Sequence, residues 1–371
     1  MTVGTIADVA SLLGENHTLV QLGMQRLNAT RKPGLRALIR NAGLKSGRLR
    51  ERDIAFGLAP RINAAGRMEH ASIAFELLTA EQPEQAQELA DRLERLNLER
   101  QRQTETLMLQ VREEARHHPD DAVVLVSGEN WPEGIIGLVA GRLAEEIKRP
   151  VLVLSRGTEF SRGSARSQEG YNMIYALRDC APLLERYGGH AQAAGFTIAN
   201  ERIEALRRHL LAWSGEEALP IAALEPRDPL AEEAAPPSTT GDQEGHDANS
   251  ARRVDLVVTR PDFFRYSTYA RLRKLGPFGA DNPEPVFKIE NLRLLSCWTS
   301  GVEGRNLKMR LGIGSNGQLS GTLTRGGPRL SSFKGVQHVT IIFRLEPAWV
   351  PGEGESTQDI TLRILEAEPV R

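Results

Sequence analysis

Residues 81 to 118, EQPEQAQELADRLERLNLERQRQTETLMLQVREEARHH, contain no glycine and a single proline near the start. Almost every residue is a strong helix former. Leu89, Leu93, Leu96, Leu98 and Leu107 form an apolar stripe among Glu, Arg and Gln. The stretch predicts one long connecting helix that ends at HHPDD. A chain of 371 residues built around such a strut is too long for one compact core and suits two or three domains.

On either side of the strut the pattern differs. The opening, MTVGTIADVASLLGEN, is apolar and β-branched, without a helix cap, and reads as a strand end followed by a turn. Ile6, Val9, Leu12, Leu13, Leu19, Val20 and Leu22 would then have little to bury against, and a missing upstream segment is expected. From HTLVQLGMQRLN through PGLRALIRNAGLK, apolar residues recur at three and four, the mark of short amphipathic helices. Beyond the strut, residues 121 to 213 alternate in the α/β manner. AVVLVSG and RPVLVLSRG read as buried strands, EGIIGLVAGRLAEEI as a helix packed through small residues, and GYNMIYALRDCAPLLERY as helical. AGFTI reads as a short strand and NERIEALRRHLLAW as a closing amphipathic helix. Residues 215 to 251 lose this pattern and are rich in Pro, acidic and small polar residues, as a flexible linker would be. From Val254 onward VFKIENLRLLSCW, NLKMRLGI, GQLSGTLT, HVTIIFRLEP and DITLRILEAEP read as short strands with Gly-rich turns, hence a small β-barrel.

Composition narrows the class. With 40% hydrophobic and 26% charged residues the chain reads as a soluble globular protein. It has no apolar run long enough for a bilayer and no leader pattern, so a membrane partner is not expected. Cys180 and Cys297 lie far apart without metal-ligand spacing, which fits a reducing cytoplasm. The formal charge of -1 gives no global attraction to nucleic acid, so any such binding must come from local patches.

Three local patches share one chemistry. GLAPRINAAGR carries Arg61, Asn63 and Arg67, SRGSARSQEG carries Arg162, Ser164, Arg166 and Ser167, and GGHAQAAG sets His190 after Gly188 and Gly189. Arginine forks, hydroxyls and backbone N–H groups in tight turns suit phosphate, and glycine lets a phosphodiester come close. Each patch alone also reads as a solvated surface or, for His190, a packed turn. RHHPDD, with His117, His118, Asp120 and Asp121, lacks further ligands nearby and reads as a solvated helix end. Asp8 in GTIADV is one plausible metal ligand, though by itself it reads first as a turn or cap aspartate. One carboxylate does not make a two-metal site.

Taken in order, GTIADV, GLAPRINAAGR, the long helix, WPEGIIGLVAGRL, RPVLVLS, GSARS, GGHAQAAG and LGPFGADNPEPVF resemble the RecJ family of bacterial single-strand-specific DNA exonucleases, within the DHH phosphoesterase superfamily. The resemblance covers nearly the whole chain apart from the linker. It implies an α/β fold. A DHH-associated substrate-binding domain (119–215) is joined by a connecting segment with the long helix (51–118) to a remnant of the DHH domain (1–50). A linker (216–252) leads to an OB-type single-strand-binding barrel (253–371). It further implies 5′→3′ phosphodiester hydrolysis in DNA repair and recombination, with a Mn²⁺ or Mg²⁺ pair in the complete enzyme. Under it Asp8 matches a metal-binding and catalytic aspartate, and His190 a catalytic histidine facing the metals. Arg61, Asn63, Arg67, Ser164, Arg166, Ser167, Gly188 and Gly189 would receive the phosphate. Phe278, Trp298, Arg305, Lys308 and Arg310 would grip single-stranded DNA, while Phe287 reads as barrel core.

Two small departures from the family pattern are Ala165 in GSARS and Ala280-Asp281 in PFGADNPEP. A larger one is that the family's aspartate-rich and Asp-His-His motifs are not in this sequence. The expectation is a C-terminal portion of a RecJ-like protein, with an upstream-encoded DHH fragment as one partner. Single-stranded DNA, single-strand-binding protein and repair helicases are the others. The rival expectations are a nuclease-inactive single-strand-binding or scaffold protein and, less favoured, a small-oligonucleotide phosphodiesterase.

Overall fold

A computed structural model describes residues 1–168, 170–213, 254–314, 317–350 and 354–370. The linker expected at 216–252 lies outside the described residues. The chain divides into two compact units, Met1–Asp8 with Met24–Asp242, and Val9–Gly23 with Gln243–Arg371.

The first unit begins with short helices α1 (Thr2–Ala7), α2 (Gly14–Asn28, whose last turns belong here), α3 (Pro33–Asn41), α4 (Ala59–Met68) and α5 (Ser72–Thr79). The expected strand end at GTIADV is the helix α1 instead. Its residues have β propensity, but the turn closes with Asp8 N–H donating to the Gly4 carbonyl at 2.9 Å. Burial of Ile6 then overrides local preference. GLAPRINAAGR is likewise no tight turn. A π-helical turn, Asp53–Leu58, runs directly into α4, so its arginines project from a helix.

The strut is α6 (Pro83–Arg116), 34 residues in one piece. Its buried line is Ala86, Ala90, Leu93, Asn97, Arg100, Thr104, Leu107, Met108, Val111 and Ala115, at intervals of mostly three and four. Leu93 and Leu107 of the expected stripe lie on it, whereas Leu98 is 55% exposed. The middle of the line is polar: Arg100 donates to Asn97 Oδ1 at 3.0 Å and the Thr104 hydroxyl to the Arg100 carbonyl at 2.7 Å.

After α6 come β1 (Val124–Glu129), α7 (Glu133–Ile147), β2 (Val151–Arg156), β3 (Phe160–Arg166), α8 (Met173–Asp179), β4 (Leu184–Gly189), β5 (Ala193–Ala199) and α9 (Ile203–Trp213). The sheet order is β1-β2-β3-β5-β4, with β1 and β2 parallel and the remaining pairs antiparallel. Both faces carry helices. Val124, Val126, Val151 and Val153 pack with residues of α6 and α7 on one side. Leu125, Leu152, Leu154, Ala165, Phe196 and Ile198 pack with α8 and α9 on the other. The alternation of side chains along each strand separates the two cores. LERY, expected to end a helix, instead begins strand β4, because Leu184, Tyr187, Gly188 and Gly189 register against Ile198, Phe196, Gly195 and Ala194.

The second unit is a closed barrel of β7 (Phe287–Ser300), β8 (Asn306–Ile313), β9 (Gly317–Leu323), β10 (His338–Val350) and β11 (Gly354–Val370), closed by β10 pairing with β7. A two-residue strand β6 (Leu256–Val257) and a helix α10 (Tyr266–Leu272) precede it. Phe287, Phe343, Leu307, Met309, Leu311, Val339, Ile341 and Leu362 form its core. The segment Val9–Gly23 belongs to this unit: Leu12 is 2% exposed and donates its N–H to the Ala280 carbonyl at 2.9 Å. The expectation that the early apolar residues lack partners is thus overturned for Ile6, Leu12 and Val20, which are buried. Leu13, Leu19 and Leu22 are exposed.

Candidate nucleic-acid interface

Strand register assembles the first candidate surface from three separate segments. Ser164 of β3 pairs with Gly195 of β5, which pairs with Gly188 of β4, so the three form one lateral row on one face. Two residues along β3 on the same face lies Arg166, opposite Ala193. Helix α7 borders this row. A Cβ on Gly137 would come within 3.0 Å of Ser164 Oγ and 3.1 Å of Arg166 Nη2. The small residues of EGIIGLVAGRL thus let α7 lie close over the arginine. Arg166 donates to Ser164 Oγ at 3.2 Å and to its neighbour's carbonyl, Ala165, at 2.8 Å. Burial pushes its pKa below the ordinary arginine value, yet the group remains a cation at neutral pH.

The glycines of this face serve different ends. Gly189 has φ of 140°, and a side chain there would collide with Ala193 and Ala194, so the turn into His190 requires it. Gly163, on the opposite face, leaves room for the Phe196 ring. Gly188 is different: a Cβ there would meet nothing within 4 Å. At Gly195 a Cβ would meet only the Gly163 carbonyl, at 3.8 Å. Both are exposed, and no atom of the described residues requires either to be bare.

His190 follows β4 two residues beyond Gly188, exposed, with its N–H donated to the carbonyl of Ala193, the partner of Arg166, at 2.8 Å. Among the described residues its imidazole has no hydrogen-bond partner. Ser167 secures the loop beside it. The hydroxyl bonds the Tyr171 and Ala191 carbonyls, both at 2.9 Å, and the N–H donates to the Gln192 carbonyl at 3.0 Å. Ser167 is therefore engaged by the backbone that shapes the loop.

Helix α4 supplies the remaining expected phosphate ligands, on two faces. Asn63 and Arg67, four apart, share one face. Arg67 donates to the Gly134 carbonyl at the start of α7 at 3.0 Å, and Gly134 is bare because α4 backbone lies against it. Arg61 points elsewhere, into an ion pair with Glu94 of α6 and a 2.7 Å bond to the Gly57 carbonyl. Its guanidinium is engaged within the helical part.

Asp8 is the exposed C-terminal cap residue of α1. Among the described residues no group of three or more His, Cys, Asp and Glu side chains is placed to hold a metal ion. A divalent pair is not fitted by these residues, which offer Asp8 as one carboxylate. The RHHPDD segment is tied up otherwise, as the Arg207 guanidinium of α9 lies against the His118 ring and donates to Asp121 Oδ2 at 2.5 Å.

The barrel carries the second surface. Along β8, Leu307, Met309 and Leu311 point into the core, while Lys308 and Arg310 are exposed. Register places Trp298, Lys308 and Thr322 in one outer row and Ser296, Arg310 and Ser320 in the next. Trp298 is 39% exposed, with the Arg310 guanidinium 5.8 Å from its ring centre. Arg305 is exposed at the turn before β8. Phe278 is not part of this face. It is half-buried, with Arg273 stacked 5.1 Å from its ring centre, and lines a small recess with Tyr269, Leu272 and Phe287. Phe287 is core, as expected.

Within the first unit residues 120–216 match a DHHA1 domain, and within the second residues 254–353 match a RecJ OB domain. Over most of its length the chain is similar to RecJ proteins. It is 33% identical to the single-stranded-DNA-specific exonuclease RecJ of Bacillus subtilis (strain 168) over 312 residues, 83% of this chain and 36% of that protein. It is similar to crystal structures of RecJ from Thermus thermophilus. The complex with Mg²⁺ has a TM-score of 0.76 at 26% identity, covering all of this chain and 52% of that one. The complex with Mn²⁺ has a TM-score of 0.74 at 27% identity, covering all of this chain and 49% of that one. The chain thus spans about a third to a half of the length of these relatives.

Proposed function

We propose that this chain seats and orients single-stranded DNA for RecJ-type 5′→3′ digestion in DNA repair and recombination. The observation that carries the reading is the row Ser164–Gly195–Gly188. Two of its three positions are bare and open although nothing in the described chain needs them so, and a cation and a hydroxyl stand at its edge. A phosphodiester fits such a shelf: Arg166 and Ser164 present donors to it, and the exposed His190 imidazole offers one more. On the barrel, Trp298 gives a stacking platform and Lys308, Arg310 and Arg305 track the backbone, the combination that holds single strands without sequence readout. Residues 1–50 hold the matching Asp8, and we assign no bond-breaking step to it, because the described donor set is a single carboxylate. The relatives' divalent ions enter this proposal only as a property of the family.

The test is fluorescence anisotropy of the full chain with a dye-labelled, 5′-phosphorylated oligothymidylate and with a duplex of equal length, with Mn²⁺ and with EDTA. The expected result is single-strand binding that is about tenfold or more tighter than duplex binding, weakens steeply with salt, and is unchanged by EDTA. Equal affinity for duplex, or loss of binding in EDTA, would contradict it. A nuclease-inactive role as a single-strand-binding protein shares these outcomes and is separated by nucleotide release in Mn²⁺.

A further inference from the structure

The face that carries the glycine row has a second row beside it. On β3, β5 and β4 the paired residues are Arg162, Thr197 and Arg186, each two positions from Ser164, Gly195 and Gly188 respectively. Alternation along a strand puts both rows on one side, about 6.8 Å apart. Arg186 is exposed and has no hydrogen bond or ion pair among the described residues. Its acidic neighbour Glu185, the extra residue where the β4–β5 register shifts, is held by Arg202 at 3.3 Å. Arg162 donates to Glu133 Oε2 at 2.8 Å, but that pair is solvent-exposed, with 68% and 52% of the two side chains accessible. Such a pair contributes little and yields to a competing anion. Two guanidinium groups thus flank a threonine hydroxyl one step along from a bare shelf.

We propose that Arg162, Thr197 and Arg186 form a second phosphate seat, which takes the phosphate adjacent to the one on the glycine row. The inference rests on the reading of that row as a seat for DNA. The row spacing suits neighbouring phosphates of one strand. Along the helix axis a nucleotide rises only about 3.4 Å. Successive phosphates also step around the helix, so the distance between them is set by the whole sugar-phosphate repeat and is comparable to the distance between the rows.

The test is a cycle between protein and DNA in the full chain. A 5′-phosphorylated oligothymidylate series with one neutral methylphosphonate linkage, moved stepwise from the 5′ end, is titrated against the wild type, Arg186→Gln, Arg162→Gln and Arg166→Gln. Arg166→Gln is expected to couple to one phosphate position. Arg186→Gln and Arg162→Gln are expected to couple to the next linkage, so that neutralising that linkage costs them nothing further. Arg186→Gln should also lower the slope of log affinity against log salt by about 0.7, one single-strand phosphate contact. If Arg166→Gln couples to a phosphate but Arg186→Gln and Arg162→Gln couple to none, or to a distant one, the second seat is wrong and the glycine row stands. If none of the three couples to any phosphate, the sheet face is not a DNA seat and both readings fall.

Discussion

The sheet of the DHHA1 domain and the barrel of the OB domain present their candidate surfaces in opposite ways. On the barrel the surface is made of side chains. Trp298, Lys308 and Arg310 stand out from one hairpin whose other face carries the buried Leu307, Met309 and Leu311. On the sheet the centre of the surface is an absence of side chains, Gly195 and Gly188, with Arg166 and Ser164 under the edge of α7 and His190 just beyond the end of β4. A stacking platform can grip any stretch of single strand loosely. A bare backbone shelf admits one segment closely and fixes where its phosphate lies. The first suits holding, the second suits placing.

The contrast predicts effects of different size and kind, the largest on stability. Phe196 fills the space that Gly163 leaves and is 5% exposed in the core under α8 and α9. Phe196→Ala should destabilise the α/β unit by about 3–5 kcal/mol, because it leaves a cavity beneath the glycine row. Urea denaturation followed by circular dichroism checks this. A barrel that keeps its own transition in the variant would show that the two regions fail separately.

Next comes Trp298→Ala. The side chain is part-exposed and adds little to the core, so the melting temperature should stay within a degree or two of the wild type. Binding of oligothymidylate should weaken by about 1–3 kcal/mol, one stacked base, in anisotropy titrations. An unchanged affinity would move the grip away from the outer rows of β7 and β8.

The mildest effect concerns the two thiols, one in each region. Burial pushes Cys180 up to about 12, and it also raises Cys297, which is less deeply buried on β7. A raised thiol pKa favours the neutral form in the fold, so its contribution is full below the unfolded value near 9. It is lost as pH rises from there through about 12. Cys180→Ala should therefore flatten the alkaline fall in stability of the α/β unit and leave the pH dependence near pH 7 unchanged. At pH 8 a thiol reagent should modify Cys297 before Cys180, and the reverse order would contradict the burial of Cys180.

The same contrast governs what could be seen in the sequence. The barrel surface was legible because β8 alternates strictly, so Lys308 and Arg310 announce themselves between Leu307, Met309 and Leu311. The family pattern pointed to Ser164, Arg166, Gly188 and His190 as well. Their alignment was hidden, since LERY reads as the tail of a helix and SRGSAR has no strand pattern of its own until cross-strand pairing makes them part of β4 and β3. Without that pairing Gly195 is one small residue among many, and Arg162 and Arg186 are ordinary surface charges. The opening was misread for a related reason. The β-branched residues of TVGTIA favour a strand locally, but helix closure and the burial of Ile6 decide otherwise. Phe278 could not be told from Trp298 by composition, and only the recess beside Tyr269 and Phe287 separates them. Polar Asn97, Arg100 and Thr104 sat unrecognised on the buried line of α6, because a leucine stripe drew attention to its flank.

The most direct measurement is made on Gly188→Val, in which a β-branched side chain stands on the shelf where no described atom lies within 4 Å of a Cβ. Valine suits a strand better than glycine, so the melting temperature should hold or rise. Affinity for 5′-phosphorylated oligothymidylate, read by anisotropy beside the melt, should fall about tenfold or more, equivalent to about 1.4 kcal/mol or more. A folded Gly188→Val that binds single strands as tightly as the wild type would contradict the claim that this bare row is where the DNA backbone lies.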